Sequence, residues 1–246
     1  MHPLLLAAAL LARFSVPATD SSSLYRILLL RAAPGRLLEV IDLYKRQLPV
    51  YDRAGESRPF LLRHSQGDQW DLLLLFPMES FTAYYAPDRA ARRHRAAEQS
   101  GMPDSAFEAE VASRTAWRED VFLAGPPPAR VAAALGAGEF YHIEMHLALP
   151  GRRADLRRER EMENAFEAAL GRPQDLIFTR VAGAAWDVVT IGTYRDLKHY
   201  AESVDIPADR QDAAARAAGF ESGDAIGPFL RTLISSHHDT LARAVR

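Results

Sequence analysis

The feature that most constrains this chain is an internal repeat. Displaced by 116 residues, Leu24-Tyr-Arg-Ile-Leu-Leu-Leu-Arg-Ala-Ala-Pro-Gly-Arg36 lies on Phe140-Tyr-His-Ile-Glu-Met-His-Leu-Ala-Leu-Pro-Gly-Arg152, with six of thirteen positions identical. The same displacement, without a gap, pairs Gly55 with Gly171, Gly67 with Gly183, Trp70-Asp71 with Trp186-Asp187 and Tyr84 with Tyr200. Residues 24–85 thus hold 11 identities in 62 positions, where average composition gives about 4 by chance. The chain is therefore read as two similar units in tandem.

The structural signals recur in the same order. An apolar run (Tyr25 to Arg31, Tyr141 to Leu147) is stopped by Pro-Gly and reads as a strand and a turn. A helix follows, with Leu37, Leu38, Val40, Ile41, Tyr44 and Leu48 at helical spacing in one copy and Leu156, Met162, Phe166, Ala169 and Leu170 in the other. Gly55 and Gly171 lie past the helix ends, where a left-handed cap suits glycine. Next come two hairpins, Phe60 to His64 with Trp70 to Phe76 and Leu176 to Val181 with Trp186 to Ile191, turning at Gly67 and Gly183. Second helices start near Glu79 and Arg195, and a last strand is clearest at Thr232 to Leu241.

Strand, helix, strand, strand, helix, strand is the ferredoxin-like split βαβ order. Its sheet carries helices on one face only, so the other face needs a cover. The fold expected is α+β: two tandem ferredoxin-like units, residues 24–124 and 139–244, packed sheet to sheet as an intrachain α/β barrel. Residues 125–138, opening with Gly125-Pro126-Pro127-Pro128, form the linker. Residues 1–18 read as a signal peptide: Leu4 to Ala12 is apolar, too short to span a bilayer, and small residues end at Ala18. Export to a periplasm or the cell exterior is expected, with no membrane span in the mature chain.

The absence of cysteine removes disulfides, thiolate catalysis and thiolate metal sites. With 30 Lys+Arg against 32 Asp+Glu there is no general positive field, so no nucleic-acid partner is expected. The one dense basic cluster, Arg89 to Arg95, reads as a solvated helix. Phosphate-loop, dinucleotide, nucleophile-elbow and H-E-x-x-H motifs do not occur.

The candidate site is His142-Ile-Glu-Met-His146. On a strand, Tyr141, Ile143, Met145 and Leu147 share one face and His142, Glu144 and His146 the other. The apolar set is expected under the helices and the polar set in the barrel interior, where copy one has Arg26, Leu28 and Leu30. Pairing of the last strand with the first would bring His237 or His238, with Asp239, beside the row. His142, Glu144, His146, His237 and His238 are therefore the candidate catalytic residues, as general acids and bases. No metal ligand set is assigned, because two-residue spacing puts side chains about 7 Å apart along a strand. Trp70 and Trp186 read as repeat core.

These paired units resemble the dimeric α/β barrel superfamily in a tandem, single-chain form. Tyr141 to Leu147 with Pro150-Gly151-Arg152, and the terminal Leu233 to Leu241, are similar to NIPSNAP-like members. The resemblance implies one of several activities: cofactor-independent monooxygenases, haem-binding or haem-degrading enzymes, muconolactone isomerases or small-molecule-binding regulators. Some relatives bind haem from a nearby helix, which would make His199 an axial ligand, but its surroundings, Leu197-Lys-His-Tyr200, are not specific and His199 reads as a surface residue. Two classes stay open, an exported enzyme acting on a small, aromatic or polyketide-like molecule and a non-catalytic binding or stress-related protein. Cofactor and oligomeric state are unassigned.

Overall fold

Each copy folds from the same local instructions, and a computed structural model describes residues 22–245 of the chain. The expected leader therefore lies outside the described residues. In the first unit β1 (Ser23–Ala32), α1 (Leu37–Ala54), β2 (Phe60–Gln66) and β3 (Leu72–Glu79) are followed by α2 (Phe81–Tyr84), α3 (Pro87–Gln99), α4 (Asp104–Arg114) and β4 (Thr115–Gly125). The stretch between the copies holds a helix, α5 (Pro128–Ala137). The second unit runs β5 (Phe140–Ala148), α6 (Arg153–Ala169), β6 (Leu176–Gly183), β7 (Val188–Tyr194), α7 (Leu197–Ala201), α8 (Ala208–Ala218), α9 (Ile226–Arg231) and β8 (Ile234–Ala244).

The repeated residues do repeated work. Asp71 Oδ2 accepts the Ala32 N–H at 2.8 Å, and Asp187 Oδ2 accepts the Ala148 N–H at 3.0 Å. Each aspartate thus satisfies a backbone donor at the end of its unit's first strand, which would otherwise lose a partner. Its own N–H donates to Leu30 in one unit and to His146 in the other, at 2.7 and 2.8 Å.

The strands close into one barrel in the order β1-β3-β2-β8-β5-β7-β6-β4. Each half keeps the ferredoxin order, β4-β1-β3-β2 and β8-β5-β7-β6, and the halves join edge to edge through β2 with β8 and β4 with β6. Gly67 and Gly183 sit at these seams with φ of 120° and 91°. A Cβ at Gly67 would run into the Asp239 carbonyl, and one at Gly183 into that of Asp120. Glycine is needed there for both the backbone and the close approach.

The barrel interior is filled. Tyr25, Ile27 and Leu29 of one unit meet Tyr141, Ile143 and Met145 of the other, with Trp70, Phe178 and Ile191 among them. Outside the barrel, Leu28 and Leu30 pack beneath Val40, Leu43 and Tyr44 of α1. This inverts the expected facing of β5: His142, Glu144 and His146 lie on the helix side, and Tyr141, Ile143 and Met145 face the interior. Period-two alternation says which residues share a face, but not which face is inward. A sealed ring of strands excludes water, so it takes the apolar set.

Candidate functional site

The register of β5 assembles the polar row. His142 lies opposite Leu241, Glu144 opposite Asp239 and His146 opposite His237 of β8. Directly opposed residues project to the same side, so Asp239 and His237 join the row under the helices. His238 does not join it. Opposite Met145, it turns to the other face, where Nδ1 lies 2.8 Å from Asp68 Oδ2 and its ring meets Trp186 edge-on at 4.6 Å.

Helix α6 covers the row with an ionisable stripe. Arg160, Glu163, Asn164 and Glu167 follow helical spacing and, with Asp175, Thr190, Tyr194 and Tyr200, help to wall a cavity of about 170 Å³ against His142 and Glu144. Arg160 is 3% exposed. It donates to Glu159 at 2.6 and 2.8 Å and to Glu144 Oε2 at 3.1 Å. Thr190 Oγ1 donates to that same Glu144 oxygen at 3.1 Å. Glu163 Oε2 stands 2.6 Å from Arg160 Nη2, but off the direction of a hydrogen bond.

One guanidinium therefore faces three carboxyls, and it cannot neutralise them all. Burial raises Glu163 to about 8, outweighing the attraction of Arg160, while the Glu144 charge pushes the same way. Asp175 is raised to about 7, by burial first and by the Glu144 charge second. Space for the Asp175 carboxyl is made by Gly192, where a Cβ would come within 2.6 Å of Oδ1. Two carboxyls facing one cavity thus exchange protons near neutrality.

His142 Nε2 lies 3.4 Å from Asp239 Oδ1, and its ring is 5.2 Å from that of Tyr200. Burial lowers the His142 pKa, but Asp239 and the Glu144 charge outweigh it and the net shift is upward. The same pairing holds Asp239 down at about 2, against the effect of burial. His237 Nε2 is 3.1 Å from the other Asp239 oxygen. His146 is fully buried, stacks on His237 at 6.0 Å, and has no hydrogen-bond partner for either ring nitrogen. Burial pushes it down to about 4, so it is neutral, and its 3.7 Å approach to Glu144 is not an ion pair at pH 7.

Of the five histidine and glutamate candidates, His142 and Glu144 line the cavity, His146 and His237 flank it, and His238 stands apart. His142, Glu144 and Asp239 present atoms within 4.8 Å of one another and could hold a divalent cation. His199 serves the start of α7: its Nδ1 accepts the Arg195 N–H at 3.2 Å and its own N–H donates to Asp196 at 2.8 Å. Sequence reasoning missed Arg160, Glu163, Asp175 and Tyr200. The available signal was the Arg160, Glu163, Asn164, Glu167 stripe, which a solvated helix face does not need to keep in register with a polar strand.

The fold, two ferredoxin-like units closed into one eight-stranded antiparallel barrel with helices outside, is shared with solved structures of low sequence identity. The chain is similar to the crystal structure of an anthrone oxidase-like protein, with TM-score 0.56 and 11% identity over 93% of each chain. It is also similar to candidate monooxygenases from Fusobacterium nucleatum (TM-score 0.54, 9% identity, 92% of this chain and 94% of that one) and Lactobacillus acidophilus (0.52, 10%, 91% and 94%). No protein-family model and no curated protein sequence matches the chain.

Proposed function

We propose that this chain is an enzyme that moves protons on a small molecule held between the second half-sheet and α6. The observation carrying this is the convergence of Asp175, Glu163 and the His142–Asp239 pair on one cavity, with the two carboxyls poised near pH 7. A proton-transfer group works best when its pKa lies near the working pH. Asp175 is the acceptor. Glu163, still protonated there, is the donor. His142, whose pKa Asp239 raises against the effect of burial, stabilises the negative charge that develops on the substrate. Glu144 is fixed by Arg160 and Thr190, and its charge adds to the burial that holds both carboxyls up.

The substrate class is an aromatic or polyketide-like molecule with an activated C–H, in keeping with the name of the anthrone oxidase-like protein that shares the fold. The likeness to NIPSNAP-like members and an export leader ending near Ala18 belong to this same proposal. N-terminal sequencing from the native host checks the leader, and an intact Met1 would refute it.

Anthrone and a small β-diketone, incubated with the protein in D₂O, should exchange their acidic C–H faster than in buffer. Asp175→Asn should slow that exchange by about 10²- to 10⁴-fold. Exchange no faster than buffer, or untouched by the substitution, would contradict the reading. Saturable binding without exchange would mark a binding protein, and loss of exchange with EDTA would move the chemistry to a cation at His142, Glu144 and Asp239.

A further inference from the structure

The repeat places a second cavity at the same point of the first unit, with walls of different chemistry. Arg26, Leu28, Tyr44, Tyr51 and Tyr84 line it, and at the displacement of 116 they are the counterparts of His142, Glu144, Arg160, Glu167 and Tyr200. This cavity measures about 300 Å³, the larger of the two. Leu28 stands for Glu144, Gln47 for Glu163 and Pro59 for Asp175, so the groups assigned to proton transfer have no equivalent here. Phe76 replaces Gly192, adding a ring where the second unit leaves room for a carboxyl.

What remains is an aromatic enclosure dressed with guanidinium groups. Arg93 lies 4.1 Å over the Tyr51 ring, Arg89 3.8 Å over Tyr84 and Arg26 5.3 Å over Phe76. Each of these has a carboxylate outside the cavity lining: Asp120 for Arg26, and Glu56 for Arg89 and Arg93. Arg118 is different. At the rim, its side chain is 44% exposed and held only loosely, 3.4 Å from Asp120 and 3.6 Å from Glu108. Four arginines line the cavity against two carboxylates, Asp104 and Glu108. On α1, between Tyr44 and Tyr51, Gln47 is 1% exposed with no protein partner for either amide atom. Spaces of this size walled by rings and a few polar groups are ligand sites by dimension and by lining. With the other guanidiniums held by Asp120 and Glu56, the exposed and loosely held Arg118 is the group left to select negative charge.

We propose that the first-unit cavity binds a planar aromatic carboxylate, its ring among Tyr44, Tyr51 and Phe76 and its carboxylate at Arg118, without transforming it. This stands independently of the chemistry assigned to the second unit. The test is calorimetric titration of the full-length chain with 2-naphthoate and its neutral isostere 2-naphthamide.

The carboxylate should saturate one site and bind at least about tenfold more tightly than the amide. Arg118→Gln, at an exposed position, should reduce naphthoate to the affinity of the amide. Tyr51→Leu should weaken both probes, with folding verified by circular dichroism. His142→Asn, in the other unit, should leave naphthoate binding unchanged. Equal affinity for the two probes, no saturable binding at millimolar concentration, or loss with His142→Asn but not with Arg118→Gln would overturn the proposal.

Discussion

Arg160 is buried among Glu144, Glu159 and Glu163. Replacing it with Met would strand those carboxyls without a cation, which costs about 3–5 kcal/mol for a broken buried pair. Urea unfolding at pH 7 should show that loss, and less of it at pH 5, where more of the carboxyls are neutral; a cost within about 0.5 kcal/mol, as at a surface site, would contradict the arrangement. The raised carboxyls also set a pH dependence. Between the unfolded values near 4 and the folded values of about 7 for Asp175 and about 8 for Glu163, the folded chain binds the extra protons. Their contribution is therefore fully present below about pH 4 and is lost as pH rises through 7 to 8. His146, lowered to about 4, acts oppositely: its contribution is complete above 6.5 and is lost as pH falls toward 4. Above pH 6.5 the carboxyls are left to dominate, so stability should fall from pH 6.5 to 8.5, and Asp175→Asn should flatten that fall. An unchanged slope in the variant would refute the assignment.

At the scale of elements, β5 shows what the sequence made legible and what it did not. Alternation grouped His142, Glu144 and His146 correctly, and the ferredoxin order brought β8 beside them with His237 and Asp239. The side they face was not legible, because both faces of the equivalent strand β1 are apolar, with Ile27 and Leu29 inward and Leu28 and Leu30 under α1. The arginines of α3 misled in a similar way. Charge spread around a helix reads as solvated, yet Arg89 and Arg93 lie across tyrosine rings and bond Glu56 and Tyr51, contacts between distant segments that no local pattern encodes. The Trp-Asp pairs, by contrast, were legible as a repeat, and their hydrogen bonds give the reason. Asp71→Ala and Asp187→Ala should each cost about 1–3 kcal/mol through the orphaned strand-end amide. Denaturant midpoints should fall for both, and further for Asp187→Ala, which also loses the 2.7 Å ion pair with Arg180; an unchanged midpoint for either would contradict the role.

Over the whole molecule, closure is what makes one protein of two units. Each half alone would expose two strand edges, β2 with β4 or β6 with β8, and the apolar set that fills the barrel. Residues 22–127 produced separately should self-associate in light scattering, and a stable monomer would contradict a barrel that needs both halves. The two units keep equivalent cavities outside this shared interior, and the second is walled by Asp175 and Glu163, which burial raises to about 7 and about 8. Carbon-13 observation of the Asp and Glu carboxyls across a pH titration of the full chain tests that claim most directly. Two resonances, from Asp175 and Glu163, should titrate near pH 7 and 8, and both should move down in Glu144→Gln, which removes a charge that raises them. Every carboxyl titrating between about 3 and 5, in the full chain and the variant alike, would contradict it.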